Sequence, residues 1–334
     1  MVRFVLKRPP LRPLIELLRR ELRVGHYRTA GAIARLSLRG TLRRRDMLGP
    51  QSRDCTEEHH LALGEACELW GAIGEAEASY RAALAMNPDY EPAHTRWSIM
   101  RLPGDWYDSW LRRLYSLLEP ETLIEIGVAE GNSLAMAPPR TLAIGVDPDP
   151  KIVRALGPST HVFAETSDAF FGRRGPDALL AGRPLGVGFI DGLHLFEQAL
   201  RDFINLESYC GAGSIILLHD TIPLNEATQS RVRTTIFHTG DVWKAALCLK
   251  HYRPELDVFT VATPPSGLTV VTGMNPGSRV LAERYREAVD RFIDLPYSEI
   301  ERDVKTKLDV MANDWPPVEA RLRARGVVGV KRRP

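Results

Sequence analysis

The sequence predicts an α/β fold in which a mostly parallel sheet follows a helical segment. Seven short runs rich in Ile, Val and Leu alternate with helical patterns between residues 121 and 273, as expected for parallel strands covered by helices on both faces. Only the short turn Pro-Pro-Ser-Gly at 264–267 separates the last two runs, which predicts an antiparallel hairpin at the end of the sheet. The predicted strands are LIEIG, LAIGVD, HVFAE, GVGFID, SIILLHD, DVFTVAT and LTVVTG.

The segment before the sheet has the pattern of paired helices. Small residues at fixed spacing let two antiparallel helices approach, and an aromatic side chain fills the gap between them. Residues 57 to 90 thus resemble one tetratricopeptide repeat, and residues 14 to 38 resemble a degenerate neighbour. Because stable arrays need roughly three repeats, we expect this unit to dock on the main domain, on a protein partner, or on both. The matching residues are Leu63, Gly64, Ala76, Tyr80, Ala83 and Pro88.

Three regions are predicted: helical at 1–100, α/β at 101–275 and a helical extension at 276–334. Helices within the α/β part are predicted at 151–156, 196–209 and 241–251, with Asp241 as the N-cap of the last. Trp243 is assigned to core packing rather than to stacking on a sugar. The polar stretch at 221–239 is interpreted as a lid. The extension places four residues on one helix face: Leu281, Tyr285, Val289 and Phe292.

Composition excludes several classes of protein. The four cysteines of the 334 residues are far apart without a CxxC pair, which disfavours a zinc site and fits reduced thiols in the cytoplasm. No apolar run approaches the roughly 20 residues of a membrane span, and no signal-peptide pattern is present. The many arginines between residues 3 and 45 are interpreted as solvated helix faces, with a nucleic-acid or anionic-membrane patch as the alternative. The net charge of +2 argues neither for nor against a polyanion partner.

A turn with two glycines follows the first predicted strand, in the sequence EIGVAEG at 125–131. The GxGxxG spacing that admits a pyrophosphate onto a helix N-terminus is absent. Glu130 would also repel a pyrophosphate, whereas a sulfonium cofactor carries no phosphate. This disfavours an NAD-linked oxidoreductase.

The same turn fits the acid-x-Gly-x-Gly-x-Gly loop of S-adenosylmethionine-dependent methyltransferases. Glu125, Gly127 and Gly131 match, and Ala129 replaces the middle glycine. Asp147 ends the second strand about twenty residues after Gly127, where it is placed to accept hydrogen bonds from both ribose hydroxyls. The sequence therefore predicts S-adenosylmethionine as the cofactor.

Ser167 and Asp168 follow the third predicted strand. Either side chain is placed to reach the adenine ring, and either is equally suited to cap the next helix. These two interpretations are compatible.

Two neighbouring strands end in titratable residues. Asp191 and His194 follow the fourth strand, and His219 and Asp220 end the fifth. Because the carboxyl ends of parallel strands face one crevice, we expect the four side chains to converge. Taken singly, each has an ordinary structural explanation, such as a turn cap for Asp191 or a hydrogen-bonded buried histidine for His219.

Together, the four side chains predict an active site. Asp191, His219 and Asp220 would hold a divalent ion such as Mg²⁺ that lowers the pKa of an acceptor hydroxyl. Asp191, His194 and Asp220 are the predicted catalytic residues. His194 is the candidate general base, beside the metal or in its place.

The span from about 103 to 273 resembles the class I methyltransferase group that includes cephalosporin-hydroxylase-like and macrocin or sugar O-methyltransferase-like enzymes. The resemblance implies a seven-stranded Rossmann-like sheet, magnesium bound by the acids at Asp191 and Asp220, and O-methylation of a small molecule or glycoside. Some relatives carry a carboxylate where this chain has His219, and Asp202 matches a recurrent acid that we interpret as structural. The segments that carry the resemblance are EIGVAEGNS, GVDPDP, FIDGLHLFEQALRDF, YCGAGSIILLHDT and GDVWKAALCLKHYRPELDVFTVATPPSGLTVV.

Three alternatives are weighed against a metal-assisted O-methyltransferase. One is a non-catalytic scaffold in which the helical unit binds a partner and the methyltransferase fold is vestigial, but the retained Glu125, Gly127, Asp147 and Asp220 disfavour it. The oxidoreductase is disfavoured by the glycine turn. A nucleic-acid methyltransferase is disfavoured because no Asn-Pro-Pro-Tyr-type motif is present.

Overall fold

The computed structural model describes Arg20 and residues 56–69, 71–173 and 176–327. Except for Arg20, the segment at 14–38 that resembles a degenerate repeat and the N-terminal arginine cluster lie outside the described residues. The chain divides into two compact units. One comprises the residues up to Arg101 together with Thr235–Phe237, and the other comprises Leu102–Thr234 and the residues from His238 onward.

The first unit consists of α1 (Glu57–Leu69), α2 (Ile73–Met86) and α3 (Glu91–Arg101). Ala76, Tyr80 and Ala83 are completely buried. A Cβ added to Gly64 would lie 2.4 Å from the Tyr80 ring, so a glycine is needed where α1 crosses this ring. The close helix approach expected from the small residues is present, while the tetratricopeptide-like nature of the unit stays a prediction.

The second unit is built on an eight-stranded sheet with the order β3-β2-β1-β4-β5-β7-β6-β8. Strands β1 to β5 are parallel, β7 is antiparallel to both β5 and β6, and β8 is parallel to β6. The strands are β1 Thr122–Ile126, β2 Leu142–Asp147, β3 Thr160–Ala164, β4 Leu185–Ile190, β5 Cys210–His219, β6 Asp257–Val261, β7 Leu268–Thr272 and β8 Val310–Met311.

Helices cover both faces of this sheet, and none in the described part of the chain is long and apolar enough to cross a membrane. A short 3₁₀ turn also lies at Leu134–Met136. The helices are α4 Tyr107–Leu118, α5 Ser167–Arg173, α6 Asp177–Leu180, α7 Phe196–Glu207, α8 Trp243–Tyr252, α9 Val280–Glu283, α10 Tyr285–Phe292, α11 Ser298–Glu301, α12 Val304–Lys307 and α13 Trp315–Ala324.

The two faces of the sheet have separate apolar cores because side chains alternate along each strand. Ile124 and Ile126 of β1 join one core with side chains of α7, α8 and α10. Leu123 joins the other core with side chains of α4 and α13. Full burial of each large apolar side chain contributes about 1.5–3 kcal/mol to stability. The apolar side chains that alternate along the strands therefore hold helices against both faces of the sheet.

All seven predicted strands are present, and the last two form the predicted antiparallel hairpin. The α/β Rossmann-like fold is therefore confirmed. An eighth strand was not predicted, because two residues, Val310–Met311, are too few to show a strand pattern. The predicted helical face of the extension is present, since Leu281 and Phe292 are buried and Tyr285 and Val289 pack against the same core.

The helix predicted at 151–156 is wrong. The backbone there is irregular, and two of its N–H groups bond to the glycine turn. Lys151 donates to the carbonyl of Ala129 at 2.9 Å, and Val153 donates to that of Glu130 at 3.1 Å. This segment therefore supports the turn after β1.

Asp241 does not cap the helix that follows it, which corrects the predicted N-cap. Helix α8 begins at Trp243 without a side-chain cap. The Asp241 carboxylate instead accepts the N–H of Phe196, the first residue of α7, at 2.8 Å. Trp243 is completely buried, as expected for core packing.

Candidate active site

The site lies where β1, β4 and β5 end side by side. These strands are parallel neighbours, with Ile126 opposite Ile190 and Ile190 opposite Leu218. Their carboxyl ends therefore share one edge of the sheet. This places the turn that begins at Gly127 beside Asp191, and Asp191 beside His219.

The turn after β1 requires glycine for two reasons. Gly127 has a φ of +86°, and a Cβ there would lie 2.0 Å from the carbonyl oxygen of Asp191. Gly131 has a φ of +78°. Ala129, which replaces the middle glycine of the template, also has a positive φ, of 44°, a conformation that costs about 1–2 kcal/mol for an L-residue.

Asp147 holds the shape of this turn. Its Oδ2 accepts the N–H groups of Val128 at 2.8 Å and Ala129 at 2.9 Å, and its Oδ1 accepts the N–H of Asp149 at 2.8 Å. A carboxylate has about four acceptor positions. Contact with both hydroxyls of a ribose would therefore require one of these three bonds to be given up.

Glu125 lies in β1 beneath the turn and is completely buried. Ser133 donates to its Oε1 at 2.6 Å, and its Oε2 has no hydrogen-bond partner. Burial raises the pKa of Glu125 to about 8. The side chain therefore supports the turn from below, and it is largely uncharged near neutral pH.

Ser167 and Asp168 lie at the start of α5, but neither caps it. The side chain of Thr166 accepts the N–H of Ala169 at 3.2 Å, so Thr166 is the N-cap. Gln198 of α7 donates to Ser167 at 3.1 Å and to Asp168 at 3.2 Å.

Asp168 also forms an ion pair with Arg201 at 2.6 Å. Gln198 donates in addition to Asp202, at 3.1 Å. Asp202 is buried, and burial raises its pKa to about 6. The structural role expected for Asp202 is consistent with these contacts, which tie α7 to the start of α5.

Four titratable side chains form one cluster, in which one oxygen of each aspartate faces one nitrogen of each histidine. Oδ1 of Asp191 lies 3.2 Å from Nδ1 of His219 and 3.4 Å from Nε2 of His194. Oδ2 of Asp220 lies 3.6 Å and 3.1 Å from the same two nitrogens. The structure thus brings together the four side chains that the sequence placed at these two strand ends.

Opposite charges in this cluster stabilise one another. Burial disfavours the charged form of all four groups, but the opposite charges outweigh it. The carboxylates of Asp220 and Asp191 raise the pKa of His194 to about 9 and raise that of His219 well above its ordinary value. The two imidazolium groups in turn lower the pKa values of Asp191 and Asp220.

Three further groups fix the cluster and were not found from the sequence. Ser266, in the β6–β7 turn, donates to Oδ1 of Asp220. Nδ1 of His194 donates to the carbonyl of His238 at 2.9 Å. The ring of Tyr107 packs on that of His219, with centroids 4.2 Å apart. No motif marks these residues, because their positions depend on tertiary packing.

The residues at 221–239 that were interpreted as a lid are held by ion pairs. Arg231 contacts Glu197 of α7 at 2.6 Å and the buried Asp241 at 2.7 Å. The carbonyl of His238 fixes His194. This stretch therefore holds His194 of the cluster in position.

Two cavities adjoin the cluster. An open cleft of about 780 Å³ is lined by residues that include Trp106, Tyr107, Arg112, Asn132 and Arg154. Tyr107 is thus shared between the wall of this cleft and the cluster.

The second cavity, of about 10 Å³, is lined by Asp191, His194 and His219 among others. Asp191, His219 and Asp220 form a group that fits a metal ion, with ligand atoms all within 4.8 Å of one another. The donor atoms of this group are compatible with a bound cation.

The central part of the chain is similar to a known protein family. Residues 124–221 match a family model described as a methyltransferase domain. The match supports the predicted resemblance to methyltransferases over these residues. A search of curated proteins gave no match.

Similar solved structures include a putative O-methyltransferase from Klebsiella pneumoniae, with 14% identity and a TM-score of 0.37 over 58% of this chain and 95% of that one. An O-methyltransferase from Bacillus cereus in complex with SAH has 14% identity and a TM-score of 0.37 over 69% and 94%. The O-methyltransferase TomG from Streptomyces achromogenes in complex with SAM has 16% identity and a TM-score of 0.34 over 51% and 80%.

Proposed function

We propose that this protein transfers a methyl group from S-adenosylmethionine to a hydroxyl of a small-molecule or sugar acceptor, with the help of a divalent cation. One observation carries the proposal: the turn that would hold the methyl donor touches the cluster that would activate the acceptor. Gly127 has no room for a Cβ because the carbonyl of Asp191 occupies that space. The methyltransferase-domain match, residues 124–221, includes both parts.

The donor side is assigned to the turn and its supports. The backbone at Gly127, Ala129 and Gly131 would lie against the cofactor, because the glycines leave it uncovered by side chains. Glu125 and Asp147 would hold the turn, and Asp147 would also contact the ribose. Ser167 and Asp168 would lie near the adenine.

The acceptor side is assigned to the cleft. Its wall at Tyr107 adjoins His219, so an acceptor in the cleft would have a hydroxyl close to the cluster. Burial and the nearby Asp191 and Asp220 raise the pKa of Tyr107. Its hydroxyl therefore stays protonated and can donate a hydrogen bond to the acceptor.

The reaction itself is a displacement at the methyl carbon. The acceptor oxygen forms a bond to carbon as the carbon–sulfur bond breaks, and the bonding pair returns to sulfur to give a neutral thioether. The acceptor proton passes to Nε2 of His194. A dication held by Asp191, His219 and Asp220 would stabilise the acceptor oxygen as it loses this proton.

Charge decides when His194 can accept that proton. The carboxylates of Asp220 and Asp191 raise its pKa to about 9, so it already carries a proton near neutral pH. A positive charge that neutralises Asp191 and Asp220 would remove the cause of this shift. His194 would then be unprotonated, as a general base must be.

The test combines calorimetry with turnover. The protein should bind S-adenosylmethionine and methylate at least one member of a panel of glycosides and cell-envelope sugars when a divalent cation is added. Asp220→Asn should reduce turnover by about 10²-fold or more, because it removes a ligand of the cation and the carboxylate that faces the proton acceptor His194, and acid–base catalysis alone contributes about that factor. Cofactor affinity should change little. The matched control is Asp294→Asn, which removes an exposed carboxylate far along the chain. Absence of cofactor binding would contradict the proposal and favour the scaffold alternative.

The acceptor, a protein partner of the helical unit and the cytoplasmic location stay predictions of the sequence. The panel addresses the first of them. A pull-down with residues 1–101 as bait would address the second.

A further inference from the structure

We infer that, within the function proposed above, the helical unit positions the proton acceptor His194 through the segment Thr235–Phe237. For these three residues the chain belongs to the helical unit, whereas the residues just before and after them belong to the α/β unit. His238, which follows directly, carries the carbonyl that fixes the ring of His194. One peptide bond therefore joins a residue held by the helical unit to a residue that contacts the proton acceptor.

Two contacts hold this segment within the helical unit. The N–H of Ile236 donates to Oδ1 of Asp89 at 2.7 Å, a bond between residues 147 positions apart in the chain. The ring of Phe237 stacks on that of His94, with centroids 5.3 Å apart and an angle of 12° between the planes. His94 is 1% exposed, and its Nε2 donates to the carbonyl of Pro88 at 2.8 Å. Phe237 thus packs on a ring that is itself fixed.

The residues after the segment enclose the backbone of His194. That residue has a φ of 57°, a left-handed conformation that persists only where the surrounding structure enforces it. Its carbonyl accepts the N–H of Asp241 at 3.2 Å, and a Cβ at Gly240 would lie 1.8 Å from the same oxygen. With the bond from Nδ1 to His238, the ring and the backbone of His194 are both held by residues 238–241.

The bond to His238 also decides which nitrogen of His194 can accept a proton. A carbonyl oxygen only accepts hydrogen bonds, so Nδ1 must carry a proton. In the neutral ring Nε2 is then the unprotonated nitrogen, and it lies 3.1 Å from Oδ2 of Asp220 in the cluster. Without a fixed carbonyl the proton would be shared between the two nitrogens, and Nε2 would be free for only part of the time.

The position of His238 is set from both directions along the chain. Thr239, which follows it, donates its N–H to the carbonyl of Thr228 at 2.9 Å. Phe237, which precedes it, is held by the stack on His94. Loss of this stack would release one of the two sides. We therefore expect the carbonyl of His238 to lose order while the α/β unit stays folded.

Nuclear magnetic resonance of the full-length protein with ¹⁵N-labelled histidine tests the inference. The Nδ1 proton of His194 should exchange slowly with solvent, and His194→Gln identifies its signal by the loss of that signal. Phe237→Ala should make this proton exchange at least about tenfold faster, because local opening exposes it. Phe237→Tyr keeps a stacked ring and should restore the exchange rate of the parent protein. Val232→Ala, at a residue of the same stretch that is 72% exposed, is the matched control.

A second variant makes the change on the helical unit itself. Asp89→Ala removes the acceptor of the Ile236 N–H, and it should accelerate exchange of the same His194 proton. Because Asp89 is exposed, this variant decides the question if Phe237→Ala does not fold, which circular dichroism shows. Glu75→Ala, which removes an exposed acid of α2, is its control and should leave the exchange unchanged.

Turnover gives a readout that depends on the proposed function. With an acceptor from the panel, Phe237→Ala and Asp89→Ala should lower kcat by about tenfold or more, because a small displacement of a catalytic group is costly. The KM for S-adenosylmethionine should stay unchanged, since the cofactor turn is not altered. If the parent protein methylates no acceptor, the methyl-transfer proposal fails, whereas the exchange of the His194 proton still decides the positioning.

Three results would overturn the inference. The first is a parent protein in which the Nδ1 proton of His194 is not protected from exchange. The second is a folded Phe237→Ala or Asp89→Ala variant in which this exchange is unchanged. The third is an active enzyme in which neither substitution lowers kcat.

Discussion

Glu125 shows how a buried acid can make the stability of this protein depend on pH. Its carboxyl group lies under the glycine turn with one oxygen bonded to Ser133 and the other without a partner. Burial raises its pKa to about 8, so the folded protein binds this proton more tightly than the unfolded chain does.

We therefore expect the free energy of unfolding to fall as the pH rises from about 5 to 8, by at most about 1.4 kcal/mol per pH unit from this residue. Glu125→Gln should remove this part of the slope, because the amide does not titrate. Urea denaturation at several pH values provides the measurement. Glu283→Gln, at an exposed position, should keep the parent slope, and an unchanged slope in Glu125→Gln would contradict the prediction.

At the same scale, the sequence predicts the cluster residues at the strand ends, but it does not predict the residues that hold them in place. Asp191, His194, His219 and Asp220 could be grouped because the ends of adjacent parallel strands must meet. Tyr107 and Ser266 reach the cluster from the start of α4 and from the β6–β7 turn. Their places follow from how those segments pack, which no spacing in the sequence encodes.

At the scale of elements, Asp241 joins three segments around one buried carboxylate. It accepts the N–H at the start of α7, and it pairs with Arg231 and with Lys244 of α8. Lys244 is 3% exposed. Removal of the carboxylate would leave this ammonium group buried without its counter-charge.

Asp241→Ala should therefore destabilise the protein by about 3–5 kcal/mol, the usual cost when one partner of a buried ion pair is removed. Thermal and urea unfolding measure the change. The matched control is Glu299→Ala, which breaks an exposed pair with Lys307 and should cost less than about 1 kcal/mol. Equal effects of the two substitutions would show that Asp241 has no special role.

Gly127→Ala tests the contact between the turn and the end of β4. The added Cβ would meet the carbonyl of Asp191 at 2.0 Å, so we expect the loss of stability to exceed the about 1–2 kcal/mol that a left-handed conformation alone costs. Gly182→Ala is the control, because Gly182 has a φ of +78° with nothing within 4 Å of the added Cβ. Urea unfolding of both variants separates steric overlap from backbone strain.

The errors at this scale have physical causes. Residues 151–156 have helical composition, but the N–H groups of Lys151 and Val153 donate to carbonyls of the glycine turn. Such tertiary hydrogen bonds override local propensity. Strand β8 forms only because β6 offers a free edge for two residues.

At the scale of the whole molecule, both apolar cores of the α/β unit are formed by residues from Leu102 onward. The residues assigned to the cofactor and to the cluster also lie in this part. The domain boundaries predicted at residues 100 and 275 stay predictions, which a truncation can test.

A chain that begins at Leu102 should therefore fold and bind S-adenosylmethionine within about threefold of the full-length affinity, a change of less than about 0.7 kcal/mol. Circular dichroism and calorimetry provide the measurements. An insoluble product, or a much weaker affinity in a folded one, would show that the helical region contributes to the α/β unit.

The contact between Gly127 and Asp191 also has a thermodynamic consequence. Asp191 limits the space at Gly127 with its backbone carbonyl and supplies its carboxylate to the cluster. A shift of the glycine turn must therefore displace the end of β4, and a shift of the end of β4 must displace the turn. If the cofactor alters the affinity for a cation through this contact, the cation must alter the affinity for the cofactor by the same factor. Titration of each ligand in the presence of the other would reveal whether the two binding events are independent.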